Sequence, residues 1–264
     1  PVVRDTTYTI LEDQSCDGDY CVDIDPVDYL TTDIDNNTGS NEHSLRLISE
    51  PANGSVLLQD TRILYNSNTN FNGNDPFTYV VNDGESDSNV ATINVIITPV
   101  NDAPTTSDET ITVNEDEVTQ ITITGASDVE GDDLTYTVLD ISVEGSFSHD
   151  GSSNTGTFTP TSNAYGDGGT FTYKVNDGTE DSNISTVTIV INNVNDAPVV
   201  EDVAFATREN VPVSLSFSAT DIDGTDTFTY TIQTPPTNGT IVTGDNISFA
   251  YTPNTGYIGT DTAT

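Results

Sequence analysis

The feature that most constrains this 264-residue chain is a long internal repeat. The pentapeptide VNDAP at residues 100–104 recurs at residues 194–198, 94 positions further along. VNDG at residues 81–84 recurs at residues 175–178 with the same spacing of 94. Solenoid units run about 20–50 residues, whereas a unit of this length is long enough to be a domain with its own core. The sequence therefore predicts a string of similar domains.

The repeat predicts three domains, at residues 1–103, 104–197 and 198–264. Glu12 lies 197 residues before Glu209, nine more than two repeats, so the first copy carries a nine-residue insertion. In the third copy the Phe-Thr-Tyr strand is expected to begin near position 265, so we expect that domain to be incomplete. We interpret the sequence as an excerpt of a longer array. Alternatively, a strand from another chain completes the third sheet by β-augmentation.

Apolar and polar residues alternate in short stretches of each copy. Residues 91–97, for example, place Ala, Ile, Val and Ile on one face and Thr and Asn on the other. A period of two with one apolar face predicts strands in half-buried sheets, and Asn53-Gly54 and Asp83-Gly84 are turn signals between them. About seven short strands per repeat, without helical periodicity, predict an all-β chain of tandem immunoglobulin-like β-sandwiches.

The charge of the chain is strongly negative. It has 43 acidic residues against five basic ones, a formal net charge of −38. Such a surface repels phosphates and anionic membranes, which disfavours nucleic acids and membrane surfaces as partners. The sequence also lacks an apolar run of about 18 residues that could span a membrane. Intrinsic disorder and adaptation to salty water are alternative explanations, but neither accounts for acids at repeat-equivalent positions.

The two cysteines, Cys16 and Cys21, fall in the insertion of the first copy. We predict that they form a disulfide, which suits an oxidising, extracellular setting. The alternative is a pair of free thiols. A zinc site is disfavoured because two cysteines supply half of a tetrahedral shell.

Acidic residues recur at the ends of the predicted strands. They are Glu12, Glu115 and Glu209 before the second strand, Asp33, Asp35, Asp128, Glu130, Asp221 and Asp223 after it, and Asp75, Asp167 and Asp261 before the Phe-Thr-Tyr strand. Crowded carboxylates with carbonyl and amide oxygens suit Ca²⁺ better than Mg²⁺, and transition metals prefer imidazole or thiolate. An EF-hand is excluded because Thr38 and Ser44 occupy its sixth and twelfth positions. For each acid alone, the alternative is a solvated turn residue.

Two segments of the third copy, ATRENVP at residues 206–212 and SATDIDG at residues 218–224, resemble the opening of a cadherin domain. The VNDAP links resemble shortened cadherin inter-domain motifs. The whole pattern is similar to the bacterial cadherin-like repeats of very large secreted adhesins and some surface enzymes. The resemblance implies that calcium binds at each joint between domains. For the first joint it implies the ligands Glu12, Asp75, Asn101, Asp102, Asp128, Glu130 and Asp177. For the second joint it implies Glu115, Asp167, Asn195, Asp196, Asp221 and Asp223.

The links also depart from the cadherin pattern. Ala103 and Ala197 stand where cadherins have a second asparagine, and Pro99 and Asn193 stand where an aspartate is expected. We therefore expect one or two calcium ions per joint instead of three. The chain has no tryptophan, so the adhesive contact of animal cadherins that uses this residue cannot operate.

The sequence predicts a calcium-stiffened extracellular spacer of a large surface or secreted adhesion protein. One alternative is a module that binds carbohydrate or a protein partner through aromatic residues such as Tyr165 or Tyr257, which could equally be packing residues. Another is a subunit of a donor-strand filament, in which a neighbouring subunit completes the third repeat. No enzyme is predicted, because His43 and His149 belong to no Ser-His-Asp or Cys-His arrangement. A glycosidase uses a pair of carboxylates beside its substrate. The chain has many acids, but no insertion that could build a substrate groove accompanies such a pair.

Overall fold

The computed structural model describes residues 1–13, 22–25, 44–59, 62–224, 227–244 and 248–264. These residues form strands and loops; none of them forms a helix, and hence none forms an apolar helix of membrane-spanning length. The predicted Cys16–Cys21 disulfide lies outside the described residues, as do Asp33 and Asp35. The chain forms two compact units. Unit 1 consists of Pro1–Thr105, Ser127–Leu134 and Asn176–Ser182, and unit 2 of Thr106–Ala126, Thr135–Val175 and Asn183–Thr264.

The first repeat is a sandwich of two sheets. Its strands are β1 (Thr6–Leu11), β2 (Val22–Ile24), β3 (Ser44–Ser49), β4 (Gly54–Gln59), β5 (Arg62–Ser67), β6 (Gly73–Asn82) and β7 (Ala91–Thr98). One sheet has the order β1-β7-β6-β3 and the other β2-β5-β4. Strand β1 is parallel to β7, while the remaining neighbours are antiparallel. The core between the sheets includes Ile24, Tyr65, Phe77 and Ile93, all fully buried.

The second repeat follows the same plan. Its strands are β8 (Thr105–Thr106), β9 (Glu109–Asn114), β10 (Thr119–Thr122), β11 (Ala126–Ser127), β12 (Thr135–Val143), β13 (Gly145–His149), β14 (Thr155–Pro160), β15 (Gly166–Asn176) and β16 (Ser185–Asn192). Its main sheets have the orders β12-β15-β16-β9 and β10-β14-β13, and β9 is parallel to β16. Phe158, Phe171 and Tyr173 are fully buried in its core.

The third repeat has fewer strands among its described residues. They are β17 (Val199–Val200), β18 (Val213–Ser216), β19 (Ala219–Thr220), β20 (Gly239–Thr243) and β21 (Ser248–Pro253). They form the sheet β18-β21-β20 and the pair β17-β19, so the four-stranded sheet of the other repeats has no counterpart in this described part. The prediction of an all-β chain of tandem immunoglobulin-like sandwiches is confirmed. The predicted alternation is confirmed in β7, whose residues are buried at every second position.

A buried tyrosine–aspartate pair connects the two sheets of the first repeat. Asp75 on β6 is fully buried, and its Oδ2 accepts a hydrogen bond from the Tyr65 hydroxyl on β5 at 2.9 Å. The same carboxylate accepts the N–H groups of Ala52 at 2.8 Å and Asn53 at 3.0 Å, just before β4. Tyr65 also packs on Gly54, where an added Cβ would lie 2.5 Å from the tyrosine ring. Asp75 therefore holds the β4 turn against the core.

The third repeat has the same pair, in Tyr251 and Asp261. The Tyr251 hydroxyl donates to Asp261 Oδ2 at 2.9 Å, and the N–H groups of Thr237 and Asn238 donate to this carboxylate at 3.1 and 2.8 Å. Asp261 thus corresponds to Asp75, which places Ala263 at the position of Phe77. By this alignment, the segment equivalent to Phe-Thr-Tyr begins at residue 263, two residues before the predicted start near position 265.

We predict that replacing Asp75 with Ala destabilises the first repeat by about 2–3 kcal/mol, because it leaves buried donors without an acceptor. Replacing Tyr65 with Phe removes one of these donors and should cost about 1 kcal/mol. Calorimetry of the full chain, combined with hydrogen exchange at Ala52 and Asn53, measures both effects. The exposed Asp167 is the control, and equal effects of D75A and D167A would contradict this role.

Candidate cation-binding joints

A buried glutamate anchors the first joint, which we define as Glu12, Asp13, residues 99–104, residues 128–132 and Asp177. Glu12 directly follows β1, and its N–H donates to the Thr98 carbonyl at 3.0 Å. The Glu12 side chain is buried; its Oε1 accepts the Val100 N–H at 2.6 Å and its Oε2 accepts Asn72 Nδ2 at 3.3 Å. The end of β1 therefore fixes the link two residues before Asp102.

Two further acids hold the first link. Glu130 Oε2 accepts the backbone N–H of Asp102 at 3.3 Å. Asp177 Oδ2 accepts Asn101 Nδ2 at 3.0 Å, while its Oδ1 accepts the N–H groups of Thr179 and Glu180. These backbone and side-chain N–H groups hold the pKa of Asp177 below its ordinary value. Asp177 is therefore a charged clamp on the link.

Negative charges converge on Asp102. Burial, followed by the charges of Asp13, Glu12 and Asp128, raises the pKa of the Asp102 carboxyl. Asp128 Oδ1 accepts the N–H groups of Gly131 and Asp132 at 2.9 and 3.0 Å, which shapes the loop after β11. The fold thus brings these acids close together although their negative charges repel each other.

The second joint, which we define as Glu115, Asp116, residues 193–198 and residues 221–223, has the same anchor. Glu115 follows β9, and its N–H donates to the Asn192 carbonyl at 3.1 Å. Its side chain is 3% exposed, and Oε1 accepts the Val194 N–H at 2.8 Å. Glu115 therefore occupies the position of Glu12 and fixes the link two residues before Asp196.

Asp223 is the main clamp of the second joint. Its Oδ2 accepts the Asp196 N–H at 2.6 Å and its Oδ1 accepts Asn193 Nδ2 at 2.9 Å. Asp221 Oδ1 in turn accepts the Asp223 N–H at 2.9 Å, and Asn195 Nδ2 donates to the Asp196 carbonyl at 2.8 Å. Burial, followed by the charges of Asp116, Asp223 and Asp221, raises the pKa of Asp196.

Four carboxylate oxygens at the joints suit a cation. Asp102 Oδ2, Asp128 Oδ2, Glu115 Oε2 and Asp196 Oδ2 are buried and have no hydrogen-bond partner. Buried polar atoms of this kind require an explanation, and a bound ion is one. Nowhere in the described ranges are three or more His, Cys, Asp or Glu side chains grouped so that they could hold a metal ion. A cation here would therefore also need amide, carbonyl or water oxygens, which calcium accepts.

The structure brings most of the predicted ligands to the two links, but not all of them. Asp75 has other partners: its carboxylate accepts hydrogen bonds from the Tyr65 hydroxyl and from the N–H groups of Ala52 and Asn53 within the first repeat. Asp167 is exposed and accepts the Gly169 N–H at 2.9 Å, and no described contact joins it to the link acids. That the other residues bind calcium stays a prediction.

Sequence reasoning missed Asp13 and Asp116, whose charges reach the link aspartates. The available signal was the Glu-Asp dipeptide that follows the first long strand in two of the three copies. It was overlooked because the cadherin resemblance assigns a role to the glutamate alone.

Comparison with known families identifies the chain. The family model described as bacterial Ig domain matches residues 1–96, 101–190 and 195–264. The chain therefore belongs to the bacterial Ig domain family, with three tandem copies. A search of curated proteins found no matching sequence.

Cadherin ectodomains are among the similar solved structures. Human CDH23 EC21-23 is 17% identical with a TM-score of 0.52, and the match covers 98% of this chain and 97% of that one. Mouse cadherin-23 EC22-24 is 18% identical with a TM-score of 0.49, at 96% and 87% coverage. The human desmocollin-1 ectodomain is 10% identical with a TM-score of 0.49 and 98% coverage of this chain, which spans 52% of its length. At this identity the likeness to CDH23 shows a shared fold.

The raised pKa values of Asp102 and Asp196 predict a pH effect in a chelator. A carboxyl group whose pKa is raised by folding stabilises the fold while protonated, and this contribution is lost as the pH rises through the folded pKa. At neutral pH the D102N/D196N variant should therefore melt above the wild type. The difference should shrink towards pH 3.8, the ordinary value, where the unfolded side chains also bind protons.

The control for this prediction is Asp177, whose pKa is lowered. Its charge stabilises the fold above the ordinary pKa, so D177N should lower the melting temperature at neutral pH. Shifts of the same sign in both variants would contradict the electrostatic description of the joints.

Proposed function

We propose that this chain is a calcium-stiffened spacer in a surface or secreted adhesion protein. The observation that carries the proposal is the set of four buried, partnerless carboxylate oxygens at two equivalent links. The proposed domains end at these links, at residues 1–103, 104–197 and 198–264. An extracellular setting supplies calcium at the concentrations that weak extracellular sites require, about 10⁻⁴–10⁻³ M. The predicted Cys16–Cys21 disulfide belongs to the same proposal.

The chain's own residues prepare each joint. Glu12 and Glu115 hold the link backbone at Val100 and Val194. The acid of the following loop, Glu130 or Asp223, holds the N–H of the link aspartate. Asp102, Asp128 and Asp196 are the carboxylates that remain for a cation, with Glu115 Oε2. Calcium would supply the positive charge that offsets their repulsion, and the link would then resist bending.

An enzymatic function has no support in the site. Immunoglobulin-like and cadherin-like repeat domains are typically non-enzymatic, and His149 serves its own loop. Its Nε2 lies 2.6 Å from the Ser153 carbonyl and its Nδ1 accepts the Gly151 N–H at 2.9 Å. Of the two tyrosines considered for carbohydrate binding, Tyr257 uses its hydroxyl to bond the Thr260 carbonyl at 2.8 Å. The spacer is therefore the function that we propose.

Millimolar calcium should raise the melting temperature of the full chain and lengthen the particle. A ligand that binds only the folded state stabilises it by about 2.7 kcal/mol per site at a hundredfold excess over Kd. Scanning calorimetry and small-angle scattering in calcium, in magnesium and in chelator measure both effects. An unchanged melting temperature and maximum dimension in calcium and chelator would rule out the proposal.

The D102N/D128N variant should disable the first joint and spare the second. Both side chains lie at the link and not in the core, so each repeat should remain folded in chelator. Calorimetric titration should then lose the calcium sites of the first joint, whereas the second joint retains its affinity. Loss of the folded domains, seen as missing unfolding transitions, would show that these side chains are structural.

A further inference from the structure

Three Asn-Gly pairs occur in the chain, at residues 53–54, 72–73 and 238–239. In such a pair the glycine nitrogen can attack the side-chain carbonyl carbon of the asparagine, because glycine has no Cβ to obstruct the approach. The asparagine side chain must swing towards its own backbone for this attack, so a rigid turn prevents it. The surroundings of each pair therefore decide which asparagine reacts.

The first Asn-Gly pair is fixed from both sides. The Asn53 N–H donates to Asp75 Oδ2 at 3.0 Å, and the Asn53 carbonyl accepts the Asn68 N–H at 2.8 Å. The ring of Tyr65 covers Gly54, where an added Cβ would lie 2.5 Å from the ring. Asn53 is half-buried, and the turn before β4 holds its backbone.

The pair in the third repeat has the same surroundings. The Asn238 N–H donates to Asp261 Oδ2 at 2.8 Å, and the Asn238 carbonyl accepts the Asn254 N–H at 2.8 Å. The ring of Tyr251 covers Gly239. Both of these pairs should therefore react only when their turns open locally.

Asn72 has different surroundings. It is exposed, and Gly73 after it has a φ of 126°, a conformation that favours glycine. An added Cβ at Gly73 would lie 3.5 Å from the ring of Phe71, which is an ordinary contact. The Asn72 amide donates to Glu12 Oε2 at 3.3 Å, a long N–H···O bond that restrains the side chain weakly. Asn72 is therefore the best placed of the three asparagines to react.

We propose that Asn72 is a site of spontaneous deamidation, which replaces a hydrogen-bond donor beside the Glu12 anchor with a carboxylate. The Gly73 nitrogen forms a bond to Asn72 Cγ and loses its proton, the Cγ–Nδ2 bond breaks, and the amide nitrogen leaves as ammonia. Water then adds to one of the two carbonyls of the succinimide ring and opens it, which gives aspartate or isoaspartate. Water is the only other reactant.

The product should weaken the anchor of the first joint. The Glu12 side chain is 2% exposed, and Asn72 Nδ2 and the Val100 N–H are its two described donors. Deamidation removes the first donor and places a second negative charge next to a buried carboxylate, which disfavours its charged form. Isoaspartate also adds a carbon to the backbone at the start of β6. The bond between Glu12 and Val100 should therefore open more often.

The second repeat carries no such amide. Gly166 pairs with Ile191, as Gly73 pairs with the equivalent Ile97, so the residue before the glycine in the second repeat is Tyr165. The same reaction is therefore closed to the second joint, which serves as an internal control.

The first test follows the reaction in the wild-type chain. The full chain is aged in chelator at neutral and mildly alkaline pH, and peptide mass spectrometry measures amide loss at the three Asn-Gly pairs. We expect Asn72 to lose its amide at least about tenfold faster than Asn53 and Asn238, whose turns must open first. In the denatured chain the three rates should be similar. Equal rates in the folded chain would overturn the proposal.

The second test measures the effect on the joint, with N72D, N72Q and N74D in chelator. Asn74 is an exposed residue of β6, so N74D adds the same charge nearby. Hydrogen exchange at the Val100 N–H should be about tenfold faster in N72D than in the wild type, because Glu12 loses a donor. N72Q keeps an amide and should exchange as the wild type does, and the Val194 N–H should be unchanged in all variants.

Equal exchange at Val100 in N72D and N74D would overturn the effect on the anchor. If N72D does not fold, the aged wild-type chain supplies the same comparison, because exchange at Val100 should then accelerate in step with amide loss at Asn72. Exchange that stays constant as the amide is lost would overturn the proposal. Calcium is absent from both tests, so their outcome does not depend on the proposed spacer function.

Discussion

The joints depend on a buried carboxylate that accepts a backbone N–H from the link. In both complete repeats a glutamate follows the first long strand, and its bond to the link is short, 2.6 Å from Val100 and 2.8 Å from Val194. Such charge-assisted bonds are stronger than neutral ones, yet the one or two N–H donors that each glutamate has do not offset the burial of a full charge. The chain nevertheless adds more carboxylates at the same place, and the calcium ion that we propose would offset their combined charge.

Different protein groups hold the two links. In the first joint, Glu130 accepts the Asp102 N–H at 3.3 Å, whereas in the second joint Asp223 accepts the Asp196 N–H at 2.6 Å. Asp223 also accepts Asn193 Nδ2, and the residue equivalent to Asn193 in the first link is Pro99, which has no side-chain donor. Asp223 therefore accepts two hydrogen bonds from the second link, whereas Glu130 accepts one from the first. In the first joint a separate residue, Asp177, accepts the side-chain amide of Asn101, so each link is held by the same number of such bonds.

The sequence alone predicted the fold and most of the acids at the links. A fixed repeat shows the length of each domain, and an alternating pattern shows which residues share one face of a strand. The sequence did not reveal the bond between Asp75 and Tyr65, since an acid at a strand end looks the same whether it faces a link or the opposite sheet. The distinguishing signal was Tyr65 ten residues earlier, a spacing that Tyr251 and Asp261 share. Asp167 was matched to Asp75 by residue type, although Gly169 is the residue two positions before Phe171, as Asp75 is before Phe77.

The acids of this chain fall into two classes that respond differently to ions. Most of the acids in the part of the chain that the structure describes are exposed, and there physiological salt screens interactions beyond about 8 Å. The partnerless oxygens of Asp102, Asp128, Glu115 and Asp196 are buried, so mobile ions at a distance relieve them little. The calcium ion that we propose would offset their charge by direct contact. Adaptation to salty water can therefore explain the net charge of −38, but it does not explain why equivalent carboxylates are buried beside each link.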